Sequence, residues 1–206
     1  MYLGMIQPEN RDLFLKLAAM VSLADVTERE KHDESEKTEP LFAQRLRGEA
    51  AKLSKFIKRK DEENAALKLF AKEMDMDLSD RDIERIDDKV LNSIYQATET
   101  SSEKLFSNAE LRQSFFKDGL EALLKNDVED SKVAHETVIS LTERKVMLFE
   151  TTAMAYADGE CSELERAVLN KLAEQFDIDE EFIDEAGEVV ESFRKVTQEG
   201  LELINE

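Results

Sequence analysis

The chain has 206 residues with 48 acids against 28 bases, a formal net charge of −20. That balance disfavours nucleic acid as a main partner, because phosphate binding needs a net basic face. Hydrophobic residues make up 41%, enough for a core. A single cysteine excludes an internal disulfide framework or zinc cluster, and six glycines with two prolines argue against an all-β fold. No apolar run approaches the length of a membrane span, and the N-terminal MYLGMIQPENR lacks the pattern of a signal peptide. The composition predicts a cytoplasmic, acidic, all-α protein without direct membrane insertion.

Capping signals divide the chain. Pro8 opens a helix with Leu13, Leu17, Val21 and Ala24 on its apolar face, ending near Asp25. Thr27 and Glu30 have capping-box spacing ahead of a polar stretch to about residue 38. Pro40 starts a helix with Phe42, Leu46, Leu53 and Ile57 inward. Residues 61–74 place Leu67, Phe70 and Met74 on one face, and Ser79 caps a helix carrying Ile83, Ile86, Val90 and Ile94. The run at 98–102 reads as a boundary. Ser107 and Glu110 repeat the capping box before a helix with Leu111, Phe115 and Leu123 inward.

Asn126–Asp130 reads as a polar connection, and 131–157 as one long helix burying Val138, Leu141, Leu148 and Ala155. After the loop DGECS, Ser162 and Glu165 form the clearest capping box, opening a helix to about Gln175. Asp177 and Asp179 read as an N-terminal charge and a cap for the last helix. That helix bears a seam spaced like a coiled coil: Phe182, Ala186, Val189, Phe193, Val196, Gly200 and Leu203. Packing on the rest of the domain is the plainer explanation of it; a homo- or heterodimer contact is the functional one. Charge is polarised as well. Residues 45–60 carry seven bases against one acid, and 158–206 carry 16 acids against four bases. The basic stretch, with Arg45, Lys52, Lys55 and Arg59, is either a solvated face or a docking surface for a protein partner.

Most catalytic chemistry is excluded. His32 and His135 lack Glu three residues before them, so the di-iron bundle pattern fails. His135-Glu136 is not completed by a second His at position 139. EF-hand registers from Asp75 and Asp177 lack the required Gly and, in the first case, the final Glu. No phosphate-binding Gly-rich loop is present. A metal-dependent hydrolase is therefore the weakest of the functional readings, and a non-catalytic role the stronger. One constellation remains, the turn ADGECSELE, where Asp158, Glu160 and Glu165 could present carboxylates to a hard divalent cation such as Ca²⁺, Mg²⁺ or Mn²⁺. The structural alternative makes Asp158 a turn residue and Glu165 part of the cap. Cys161 reads as a small packing residue.

This turn, within Leu148–Phe176 followed by DIDEEF, resembles the tellurite-resistance TerB family. Asp158, Gly159, Glu160, Cys161, Ser162 and Glu165 match the family pattern position by position. A degenerate first copy spans Leu13–Glu30, with Ala24-Asp25 placed on Ala157-Asp158 at an offset of 133 and Val26 in place of Gly. The resemblance implies a single all-α TerB-like domain of about seven to eight helices with paired helix-loop-helix halves. The halves would lie at 9–38 and about 107–206, around a helical insert at about 40–100. It implies a non-catalytic stress or tellurite-resistance role in bacteria or their phages, with cation binding at Asp158, Glu160, Glu165 and Asp25, partner binding, or both. A ligand-free adaptor docking through residues 45–60 or the seam at 182–203 is the alternative.

Overall fold

A computed structural model describes residues 2–24, 61–98, 109–131 and 139–205. Among these the fold is all-α, with seven α-helices and no strand. They are α1 (Arg11–Ala24), α2 (Asp61–Glu73), α3 (Asp80–Thr98), α4 (Ala109–Ser131), α5 (Leu141–Ala155), α6 (Glu163–Phe176) and α7 (Glu181–Asn205). Two 3-10 turns, Leu3–Met5 and Pro8–Asn10, precede α1. The Thr27–Glu30 box, the Pro40 helix and Ser107 of the Ser107–Glu110 box lie outside the described residues.

α1 is the central element. Every residue from Leu13 to Ala24 except Lys16 is buried, and α2, α3, α4, α5 and α6 all pack on it. The stripe Leu13, Leu17, Val21 and Ala24 is thus only part of its buried surface. Ala18, Ala19 and Ser22, small and buried, fill the remaining faces where neighbours approach.

α2 and α3 bury the residues their spacing indicates: Leu67, Phe70 and Met74, then Ile83, Ile86, Val90 and Ile94. Ser79 opens α3 through a reciprocal box with Asp82; the Ser79 amide donates to Oδ2 at 3.1 Å, and the Asp82 amide donates to Oγ at 3.3 Å.

Three expectations are corrected in the middle of the chain. Asn126–Asp130 is not a connection: α4 continues to Ser131, because a polar stretch without Gly or Pro has nothing to stop it. The buried line of α4 is Phe116, Leu120 and Leu123, with Phe115 only partly covered. The long helix does not begin at 131. Ser140 is an N-cap accepting from the Glu143 amide at 3.2 Å, α5 starts at Leu141, and Leu141 in its first turn is exposed. Val138 lies outside the described residues.

A duplication runs through the fold. α2 and α6 end alike, in a Schellman motif closed by an aspartate in the left-handed region, Asp75 (φ 59°) and Asp177 (φ 55°). The Met76 amide donates to Ala71 O at 2.8 Å, and the Ile178 amide to Ala173 O at 3.0 Å. The carbonyl just before each aspartate is covered by an arginine from the start of the neighbouring half-helix: Arg11 Nη1 donates to Met74 O, and Arg144 Nη1 to Phe176 O. Asp177 is thus a helix C-terminal residue rather than an N-terminal charge. Asp179 does hold the start of α7, accepting from the Glu181 amide at 3.0 Å. Beyond the turns, Ile83, Ile86 and Val90 of α3 correspond to Ile183, Ala186 and Val190 of α7, all buried. The helices α1–α2–α3 thus share this pattern of turns, caps and buried positions with α5–α6–α7. Residues 25–60, between α1 and α2 in the sequence, lie outside the described residues.

Candidate functional site

The acidic turn joins α5 to α6. Ala155 ends the helix, and the amides of Tyr156, Ala157 and Gly159 continue in tight turns onto Thr152, Met154 and Tyr156 carbonyls. Gly159 adopts φ +118°, a conformation that side chains rarely take, and a Cβ there would sit 3.0 Å from Nη2 of Arg194. Asp158 Oδ1 accepts from the Glu160 amide at 3.2 Å, an Asx turn. Ser162 and Glu165 form the full capping box. The Ser162 amide donates to Glu165 Oε2 at 2.8 Å, and the Glu165 amide donates to Ser162 Oγ at 3.2 Å. Cys161 is partly buried against the core, as a packing residue would be.

The three carboxylates of the turn therefore point to separate tasks. Glu165 is 1% exposed and turned into the cap, Asp158 shapes the loop, and Glu160 faces solvent. Among the described residues no group of three or more His, Cys, Asp or Glu is arranged to hold a metal ion. Asp158 Oδ1 and Glu165 Oε2 each accept from an amide of the turn, and Glu160 is exposed, so the three are not drawn together as one group. Asp25, its expected fourth member, and Arg45, Lys52, Lys55 and Arg59 of the basic face lie outside the described residues.

What the turn does is grip α7. Tyr156 places its hydroxyl against Gly187, where a Cβ would come within 3.0 Å of it. Burial pushes the Tyr156 phenol above its ordinary range, with smaller contributions from Cys161, Glu191 and Asp184 that Arg166 opposes. Arg166 of α6 pairs with Asp184 at 2.6 Å, and Arg194 lies over Gly159. These contacts fix the first half of α7 and set the direction in which the rest extends.

That remainder is the feature the sequence left open. The seam packs on the domain only at its beginning, where Phe182 is half-buried and Ala186 buried. Val189 is 43% exposed, Phe193 64%, Val196 66% and Leu203 75%, with Ile204 beside them at 80%. A Cβ on Gly200 would meet nothing within 4 Å. Packing on the other described helices therefore does not account for the seam beyond Ala186. The signal was present in the spacing, which continues unchanged for a dozen residues past the point where α5 and α6 can reach.

A second group of acids is structural. Glu143 and Glu150, seven residues apart on α5, are buried and hold the N-terminal segment. Glu143 Oε1 accepts from the Gln7 amide at 2.9 Å and from Asn10 Nδ2 at 2.8 Å; Glu150 Oε1 accepts from the Tyr2 amide at 2.6 Å. Burial raises the Glu150 carboxyl above its usual range, against a lowering by that amide bond. Sequence spacing gave no warning of these pairs, since their partners lie more than 130 residues away.

No helix among the described residues is long and apolar enough to cross a membrane. Comparison with protein-family models, with characterised proteins and with solved structures returns no match.

Proposed function

We propose that this chain is a non-catalytic helical binding module that docks a helix of a partner protein on the outer half of α7. One observation carries the reading: a heptad-spaced stripe, Val189, Phe193, Val196 and Leu203, stands exposed on a helix whose base is clamped to the domain. Scattered exposed apolar residues need no explanation, but an ordered stripe four turns long is the pattern of a helix awaiting a partner helix. From Glu191 to Gly200 every residue is exposed, and so short a helix gains little stability in water on its own. The TerB-like resemblance of the turn agrees with a partner-binding role in a stress or tellurite-resistance system. A divalent cation at Asp158, Glu160 and Glu165, the other part of that reading, rests on the sequence of the turn and on the same resemblance.

The test is co-purification from cells that make the protein, comparing wild type with a Phe193→Glu, Val196→Glu variant. A defined partner should be retained by the wild type and lost from the variant. Equal retention by both would move the docking surface away from α7.

A further inference from the structure

The base of the stripe on α7 meets the body of the domain, where Lys145 Nζ lies 5.6 Å from the centroid of the Phe182 ring. Along one side of the stripe Glu185, Glu188, Glu199 and Glu202 form an exposed ridge at helical spacing, interrupted by Ser192 and by Lys195. We infer that the occupant of this face is a basic amphipathic helix of another protein. Its apolar stripe would lie on Phe193 and Val196, and its Lys or Arg residues would face the glutamate ridge. The inference rests on the docking role proposed above and adds the chemistry of the partner.

Three considerations select this occupant. The stripe belongs to a single helix, whose backbone hydrogen bonds are internal, so it offers no edge to an extended peptide and suits a helix-on-helix contact. From Val189 to Leu203 it runs about 21 Å at about 1.5 Å per residue, which sets the partner at about four turns. The ridge then fixes the sign of the charge. A second α7 seated on this one would bring an identical glutamate ridge, and an anionic membrane surface would be repelled for the same reason.

The experiment uses the full chain and three labelled synthetic helices of about 18 residues. They share one apolar stripe and differ only in their flanks, which are Lys/Arg, Gln or Glu. Fluorescence anisotropy gives each Kd at low and high salt, and sedimentation velocity gives the oligomeric state. The expected result is binding at least tenfold tighter for the basic helix than for the Gln helix, and no binding of the Glu helix. That margin should shrink with salt and vanish in a Glu185→Gln, Glu188→Gln, Glu199→Gln, Glu202→Gln variant. Phe193→Glu should abolish binding; since it adds an acid, nonspecific ionic attraction would instead strengthen. Equal affinity for all three helices, or an unchanged margin in the four-Gln variant, would overturn the basic class while leaving α7 as the docking surface. Binding of the basic helix to Phe193→Glu as tightly as to wild type, or no binding by any helix, would overturn docking on α7 itself. Self-association that Phe193→Glu breaks would make a second copy the occupant, against the inference.

Discussion

Asn10 donates its Nδ2 to Oε1 of Glu143 at 2.8 Å, and the two residues occupy equivalent positions in a duplicated fold. They stand 133 residues apart, the offset that also relates Arg11 to Arg144 and Ala24 to Ala157. Equivalent positions that touch each other mark an isologous contact, as between the halves of a symmetric dimer. The arrangement around the contact is reciprocal: α1 packs on α6, and α5 packs on α2. Such a core buries α1 and α5 against each other and leaves the third helix of each half, α3 and α7, on the outside. α3 is covered by α4. At the position in α7 equivalent to Ile94, which meets α4 at Gly119, stands Arg194, and it covers the turn at Gly159 instead.

The arginine caps should be worth measuring first in stability terms. Arg144→Ala removes a charged donor from the last carbonyl of α6, a loss of about 1.5–3 kcal/mol for a hydrogen bond to a charged group. Arg11→Ala should do the same to α2. Urea unfolding midpoints of the two variants check both, and losses of similar size are expected at the two equivalent sites.

Gly119 is the close approach between α3 and α4. A Cβ there would stand 2.4 Å from Ile94 Cγ1 and 2.9 Å from Ile94 Cα, so the backbone itself obstructs it. Gly119→Ala should destabilise by about 1–3 kcal/mol through overpacking, overriding a gain of about 1 kcal/mol in helix propensity. Thermal unfolding decides the sign.

Glu150 gives the fold a pH dependence of known sign. Its carboxyl is raised from 4.5 by burial, so the folded chain holds this proton more tightly than the unfolded chain. The contribution is fully present below the unfolded value and is lost as pH rises through the raised one. The stability difference between wild type and Glu150→Gln should therefore move against the wild type as pH increases across that window. Denaturant titrations of both proteins at a series of pH values report it; a difference that is flat with pH would contradict the assignment.

Ser162→Ala should cost about 1 kcal/mol, the usual loss of an N-cap, and Asp158→Asn should leave the response to divalent ions as it is in the wild type. Thermal unfolding with Ca²⁺, Mg²⁺, Mn²⁺ and Zn²⁺, with and without chelator, checks the second statement. Stabilisation of the wild type alone by one ion would make the turn a cation site.

Much of this fold was legible because its punctuation is local. Ser79, Ser162 and Asp179 announce helix starts by side chains that reach their own backbone, and the structure places them there. The stripes of α2 and α3 were legible for the same reason, each being a face of one helix. Ser140 and Glu143 carry capping-box spacing too, yet the Glu143 carboxylate serves Gln7 and Asn10 instead, a use that only the tertiary fold creates. The continuation of α4 through Asn126–Asp130 was hidden because polarity resembles a loop when no breaker is present. The duplication was visible as an offset in one helix pair. Its extent was obscured by the long stretch between α1 and α2, which displaces the partner of α6 from where the second half would put it. For the candidate site, spacing shows that the turn's acids lie close together without showing which amides each oxygen serves.

The proposed docking role rests on the outer half of α7. Amide hydrogen exchange on the full chain, alone and with the basic amphipathic helix, tests it residue by residue. Exchange should be fast from Glu191 to Ile204 in the free protein and slowed there on binding, with α1, α5 and α6 unchanged. Protection of that segment already in the free protein, or protection appearing elsewhere on binding, would contradict it.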